Sequence, residues 1–171
     1  MKTTTLVVLT LATVLSPTIT LADNNATAAQ TVPQTMQCAS ITQDEVKGLF
    51  DKWNAALATR NPDTVTARYS DDAVLLPTVS NKPRTNHAEI KDYFVNFLQK
   101  QPQGTINSRT IKLGCNTAAD MGVYTFKLKD GKHTKEVQAR YTFQYEFENN
   151  QWMIEHHHSS AMPEKVASNK K

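Results

Sequence analysis

"TKEVQARYTFQYEFE", Thr134 to Glu148, decides the fold class. Val137, Ala139, Tyr141, Phe143, Tyr145 and Phe147 fall on one face of an extended chain, and Gln138, Arg140, Thr142, Gln144 and Glu146 on the other. A period of two sustained this long, and rich in aromatic residues, predicts a long strand with one apolar face. Upstream, "TINSRTIKL" from Thr105 and "MGVYTFKLK" from Met121 read as strands, and downstream so does "QWMIEHHHSS" from Gln151. Asp130-Gly131 and the "ENN" at Glu148 supply hairpin turns between them.

Further upstream the period is helical. In "ITQDEVKGLFDKWNAALATR", Thr42 and Glu45 form a capping box, and Val46, Leu49, Phe50, Trp53, Ala56 and Leu57 share a face. Asn61-Pro62 opens a short second helix, since asparagine suits the cap and proline the first turn. "DDAVLLPT" is a short strand. Asn86 and Glu89 then cap a third helix, whose buried face is Ile90, Tyr93, Phe94, Phe97 and Leu98. Helices first and a curled antiparallel sheet after make an α+β domain.

The ends narrow the setting. Lys2, the apolar run Leu6 to Leu15 and the small-residue ending "TLA" form a secretory signal peptide over residues 1–22, whose apolar core is too short to span a bilayer. Cutting after Ala22 leaves 149 of the 171 residues, with no membrane span after processing and a periplasmic or secreted location. Residues 23–40 are polar and aperiodic, a flexible leader, and residues 164–171 are a solvated basic tail. In an oxidising compartment the two cysteines, Cys38 and Cys115, are expected to pair, closing a loop that disfavours the unfolded chain by about 4 kcal/mol. The formal charge is +3, with Lys and Arg scattered among acids, so there is no nucleic-acid footprint.

Helix, short helix, strand, helix and four strands ending in W-x-I-x-H-x-H-x-S resemble the nuclear transport factor 2-like cone. More closely, the chain resembles the association domain of calcium/calmodulin-dependent protein kinase II in a secreted bacterial form, a relative of the SnoaL-like polyketide cyclases. The resemblance runs from Ile41 to Pro163, so the cone is expected over residues 41–163. It is carried by "DKWNAAL", "AVLLPTVSNKPRTN", "DYFVNFLQKQPQGTI" and "QWMIEHHHSSAMPE". It implies a pocket between sheet and helices with Arg140 projecting into it, whereas two further arginine positions of the kinase domain are occupied here by Ser159 and Thr125. It also implies self-association, expected as a homodimer in which the aromatic face of the Thr134–Glu148 strand meets a second subunit while the polar face lines the pocket. No "HRD", "DFG" or Gly-rich nucleotide loop occurs, so kinase activity is not expected of this chain.

The candidate chemistry centres on His156, His157 and His158. Alternation predicts His156 and His158 on the face of Trp152 and Ile154, with His157 opposite. They read as a packed strand end, as polar pocket groups, or as half of a metal site, for which no third ligand stands at metal-binding spacing. His158 and His157 are the candidate catalytic bases. The candidate ligand contacts are Arg140, Tyr93, Trp53, Tyr69, Arg84 and His158. No cofactor or metal is expected. The leading reading is an exported binding domain for a small ligand, acidic if Arg140 holds it. The alternative is a cofactor-free isomerase, cyclase or hydrolase using a His base and Arg140.

Overall fold

The structure, a computed structural model, describes residues 37–164. The expected signal peptide, the leader up to residue 36 and the tail beyond residue 164 lie outside the described residues. Among the described residues no helix is long and apolar enough to cross a membrane.

The helices form where the sequence caps them. In α1 (Gln43–Ala58) the Thr42 hydroxyl accepts from the Glu45 amide while the Glu45 carboxylate accepts from the Thr42 amide. Val46, Phe50, Trp53, Ala56 and Leu57 are its buried face. Asn61 caps α2 (Pro62–Thr66) and Asn86 caps α3 (His87–Phe97), which runs into a single 3-10 turn at Leu98–Lys100.

Five strands make one sheet in the order β1-β5-β4-β3-β2. They are β1 (Tyr69–Leu76), β2 (Gln103–Leu113), β3 (Thr117–Asp130), β4 (His133–Glu148) and β5 (Gln151–Ala161). The last four form the expected antiparallel meander, while β1 adds to its edge parallel to β5. The turns follow local chemistry: Gly131 has φ 60°, and Asn149 and Asn150 have φ 49° and 62°.

The aromatic face of β4 is the inner one. Tyr141 and Phe143 are buried against Phe50 and Trp53 of α1, with Tyr145 buried beside Phe143, because this is where the most apolar area leaves water. The expectation that this face meets a second subunit, with the polar face lining a pocket, is therefore reversed. Arg140, Gln144 and Glu146 are exposed on the outer face.

A second reversal concerns the histidines. The β4–β5 register slips between Gln144 and Tyr145, so that Gln144 faces His156 while Tyr145 faces Ile154. This bulge at Glu155 places Ile154 and His157, three residues apart, both inside. His156 and His158 turn outward, opposite to the alternation read from the sequence.

Cys38 and Cys115 are joined by a disulfide, with 5.0 Å between their Cα atoms. Beside it the Ala39 amide donates to the Asn116 side chain, tying the chain ahead of α1 to the turn between β2 and β3.

Candidate functional site

A cavity of about 210 Å³ lies between the inner face of the sheet, α1, α3 and the loop after β1. Its walls are apolar: Trp53, Tyr93 and Phe97 from the helices, with Phe126, Leu128 and Val137 from the sheet. Tyr93 stacks on Phe97 at 5.6 Å, and Phe97 meets Phe126 edge-on at 5.7 Å. Burial pushes the Tyr93 phenol up to about 12, against the lesser pull of the Arg84 charge. Lys100, Lys129 and Lys135 also line the cavity, and Asp130 is the one carboxylate that does.

The polar lining is a chain of hydrogen bonds. The Trp53 indole N–H, a donor only, gives its hydrogen to the Tyr69 hydroxyl at 3.0 Å. The Tyr69 hydroxyl then donates to His157 Nδ1 at 3.0 Å. That leaves the hydrogen of the neutral ring on Nε2, which points to the Tyr124 hydroxyl at a long 3.5 Å. Tyr124 donates to Ser159 at 2.6 Å, and Ser159 hydrogen-bonds with Thr78. Either hydroxyl of that last pair can be the donor, so the one hydroxyl hydrogen left over belongs to Thr78 or Ser159, both of which line the cavity.

His157 is neutral for a physical reason. It is 4% exposed, stacks on Phe143 at 4.0 Å and meets Trp53 edge-on at 5.2 Å. Desolvation, aided by His156 and His158, lowers its pKa to about 3. Its hydrogen-bond partners are tyrosines, and no carboxylate is among them.

The expected site residues separate into two groups. Trp53, Tyr93 and His157 line the cavity, and Tyr69 reaches it through His157. Arg84 is held away: its guanidinium pairs with Asp92 at 2.7 Å and lies 5.9 Å from the Tyr93 ring centroid. Arg140 and His158, expected inside, are outside. Arg140 donates to Ser160 on the outer face, and His158 is exposed there with its ring 6.4 Å from that of His156. Tyr124 and Thr78 are polar lining groups that the sequence did not single out. Tyr124 lies in a recognised strand and could have been found by its alternation with Phe126, whereas Thr78 sits in a loop without periodicity.

A second buried polar group lies elsewhere on the inner face. Asp120 is fully buried and accepts from Arg109 Nε at 3.1 Å and the Tyr141 hydroxyl at 2.8 Å. Burial pushes its carboxyl up, and Tyr141 and Arg109 pull it back. It does not line the cavity.

Residues 42–163 match the family model of the calcium/calmodulin dependent protein kinase II association domain. The chain belongs to this family. A crystal structure from Xanthomonas campestris, provisionally named as the same association domain, is 50% identical, with a TM-score of 0.70 over 78% of this chain and 100% of that one. Two structures from Novosphingobium aromaticivorans share the fold alone. One, provisionally an aromatic ring hydroxylase, is 21% identical with a TM-score of 0.62 over 74% of this chain and 94% of that one. The other, provisionally a scytalone dehydratase, is 11% identical with a TM-score of 0.60 over 68% and 81%. No curated protein matches the chain. The α+β cone seen in solved nuclear transport factor 2-like proteins is the fold of this association domain.

Proposed function

We propose that this association domain is an exported binding module, which self-associates and takes a small acidic ligand into the cavity between sheet and helices. The observation that carries the reading is the hydrogen-bond chain ending at the Ser159–Thr78 pair. Every donor before this pair is committed, so a ligand supplying an acceptor beside it takes up the one hydroxyl hydrogen left over. The aromatic walls suit an apolar body, and the surplus of lysines over the single Asp130 suits a carboxylate. Export is supported by the signal peptide read over residues 1–22 and agrees with the disulfide. Self-association follows from the family and requires a sedimentation measurement: a monomer at micromolar concentration would remove it.

The enzyme alternative has less to rest on. A general base works best with a pKa near the operating pH, and His157, lowered to about 3, is far from it and already accepts from Tyr69 at Nδ1. Arg140 and His158 face away from the cavity.

The test is a calorimetric screen of small aliphatic and aromatic carboxylic acids, followed by Thr78→Val and Ser159→Ala. A saturable ligand is expected for the wild type, weakened about tenfold in either variant by loss of one hydrogen bond to a charged group. Failure of every acid to bind, or binding as tight in both variants as in the wild type, would overturn the proposal.

A further inference from the structure

The β3–β4 hairpin closes beside the C-terminus of α1, and between them lies a second cleft of about 430 Å³. Arg60, Lys127, Lys129, Lys132 and His133 line it, and no Asp or Glu does. None of these five takes part in an ion pair among the described residues. The nearest acids by position are Asp63, three residues after Arg60 and paired with Lys91, Asp130, beside the turn, and Glu136, across from Lys127 on β4, and none of them lines the cleft. Holding this many like charges around a concavity raises the local potential and costs free energy unless a counter-charge enters.

Helix polarity accounts for only part of this surplus. Leu57 and Ala58, at the end of α1, line the same cleft and bring the partial negative charge of a helix C-terminus, equivalent to about half a charge. The Leu57 carbonyl already accepts from the Arg60 amide. Four permanent cations exceed what one helix end can use. The sheet edge adds donors: the β2–β3 register ends at Gln103 opposite Lys127, so β3 from Leu128 to Asp130 has no partner on its β2 side.

We propose that this cleft is an anion site for a phosphate group bearing two or more negative charges, as in a diphosphate or a phosphomonoester. Arg60 supplies a planar fork that matches two phosphate oxygens, the lysines supply mobile point charges, and the open edge of β3 supplies backbone N–H. The site differs from the acid-binding cavity in Arg60, Lys127, Lys132 and His133, which line only the cleft, while Lys129 borders both.

Inorganic pyrophosphate titrated against the full chain, read by amide chemical shifts, tests the site. Saturable shifts are expected in Arg60 and in residues 127–134, weakening as salt is raised. In Arg60→Gln with Lys127→Gln, affinity should fall tenfold or more, while Lys47→Gln, on the far side of α1's sequence and paired with Asp44, should leave it unchanged. Both cleft residues are exposed, and an unchanged circular dichroism spectrum establishes that the variant is folded. Co-sedimentation with phosphatidylcholine vesicles, with and without phosphatidic acid, separates the two sources of phosphate. Vesicle binding lost in the same double variant identifies a lipid headgroup, and pyrophosphate binding without vesicle binding identifies a soluble phosphate. Shifts that do not saturate, or that survive the double variant, overturn the site.

Discussion

His157 shows how one buried side chain ties the cavity to solution pH. Its folded pKa of about 3 lies below the ordinary value of 6.5, because the imidazolium would have to sit among Phe143, Trp53 and Tyr69. A depressed value means that the unfolded chain takes up the proton first. The stability this group contributes is therefore complete above pH 6.5 and lost as pH falls toward 3. Between pH 7 and pH 5, before most carboxylates titrate, the loss should be about 2 kcal/mol. His157→Phe should be less stable at pH 7, since Tyr69 loses its acceptor, yet should show a flatter dependence over that window. Denaturant unfolding at both pH values measures this. A slope as steep in the variant as in the wild type would refute the assignment of a neutral imidazole.

At the scale of elements, the two glycines Gly48 and Gly122 should respond in opposite directions to the same change. Gly48 is inside α1 with nothing within 4 Å of where a Cβ would stand, so Gly48→Ala should stabilise by about 0.5–1 kcal/mol through helix propensity. Gly122 lies in β3 opposite Arg109, just past the register shift of β2 between Ile106 and Ser108, and its Cβ would collide with the Ser108 carbonyl. Gly122→Ala should destabilise by roughly 2 kcal/mol or more, since backbone must move. Chemical denaturation of the two variants checks both signs. The sequence made the elements legible because caps, turn residues and hydrophobic periods are local. The facing of β5 was not legible: three identical histidines give no mark of a bulge, and the slip depends on how Tyr145 and Ile154 pair across strands. Nor was the Thr78–Ser159 contact, which joins residues 81 apart in the chain. The basic cleft was hidden for the same reason, since Arg60 and Lys127 are scattered in sequence and gathered only by the fold.

For the whole molecule, the Cys38–Cys115 disulfide is the one covalent constraint among the described residues, and it closes a span of 77 residues holding all three helices, β1 and β2. Cross-linking so long a loop removes about 4 kcal/mol of unfolded-chain entropy, though strain and residual structure reduce what is realised. The bond sits ahead of α1 and at the β2–β3 turn, and neither cysteine lines the cavity or the basic cleft. Replacing both by serine should therefore lower the melting temperature by several degrees while leaving ligand and pyrophosphate affinities within twofold of the wild type. The effect should be concentrated in the segment before α1, where Ala39 is held to Asn116 by a hydrogen bond that the disulfide keeps in place. Hydrogen exchange would then rise at Ala39 and around Asn116 well before it rises in β4 or β5. Equal loss of protection across the whole sheet would mean instead that the bond supports the cone globally, and that the cone's two ends are coupled through it.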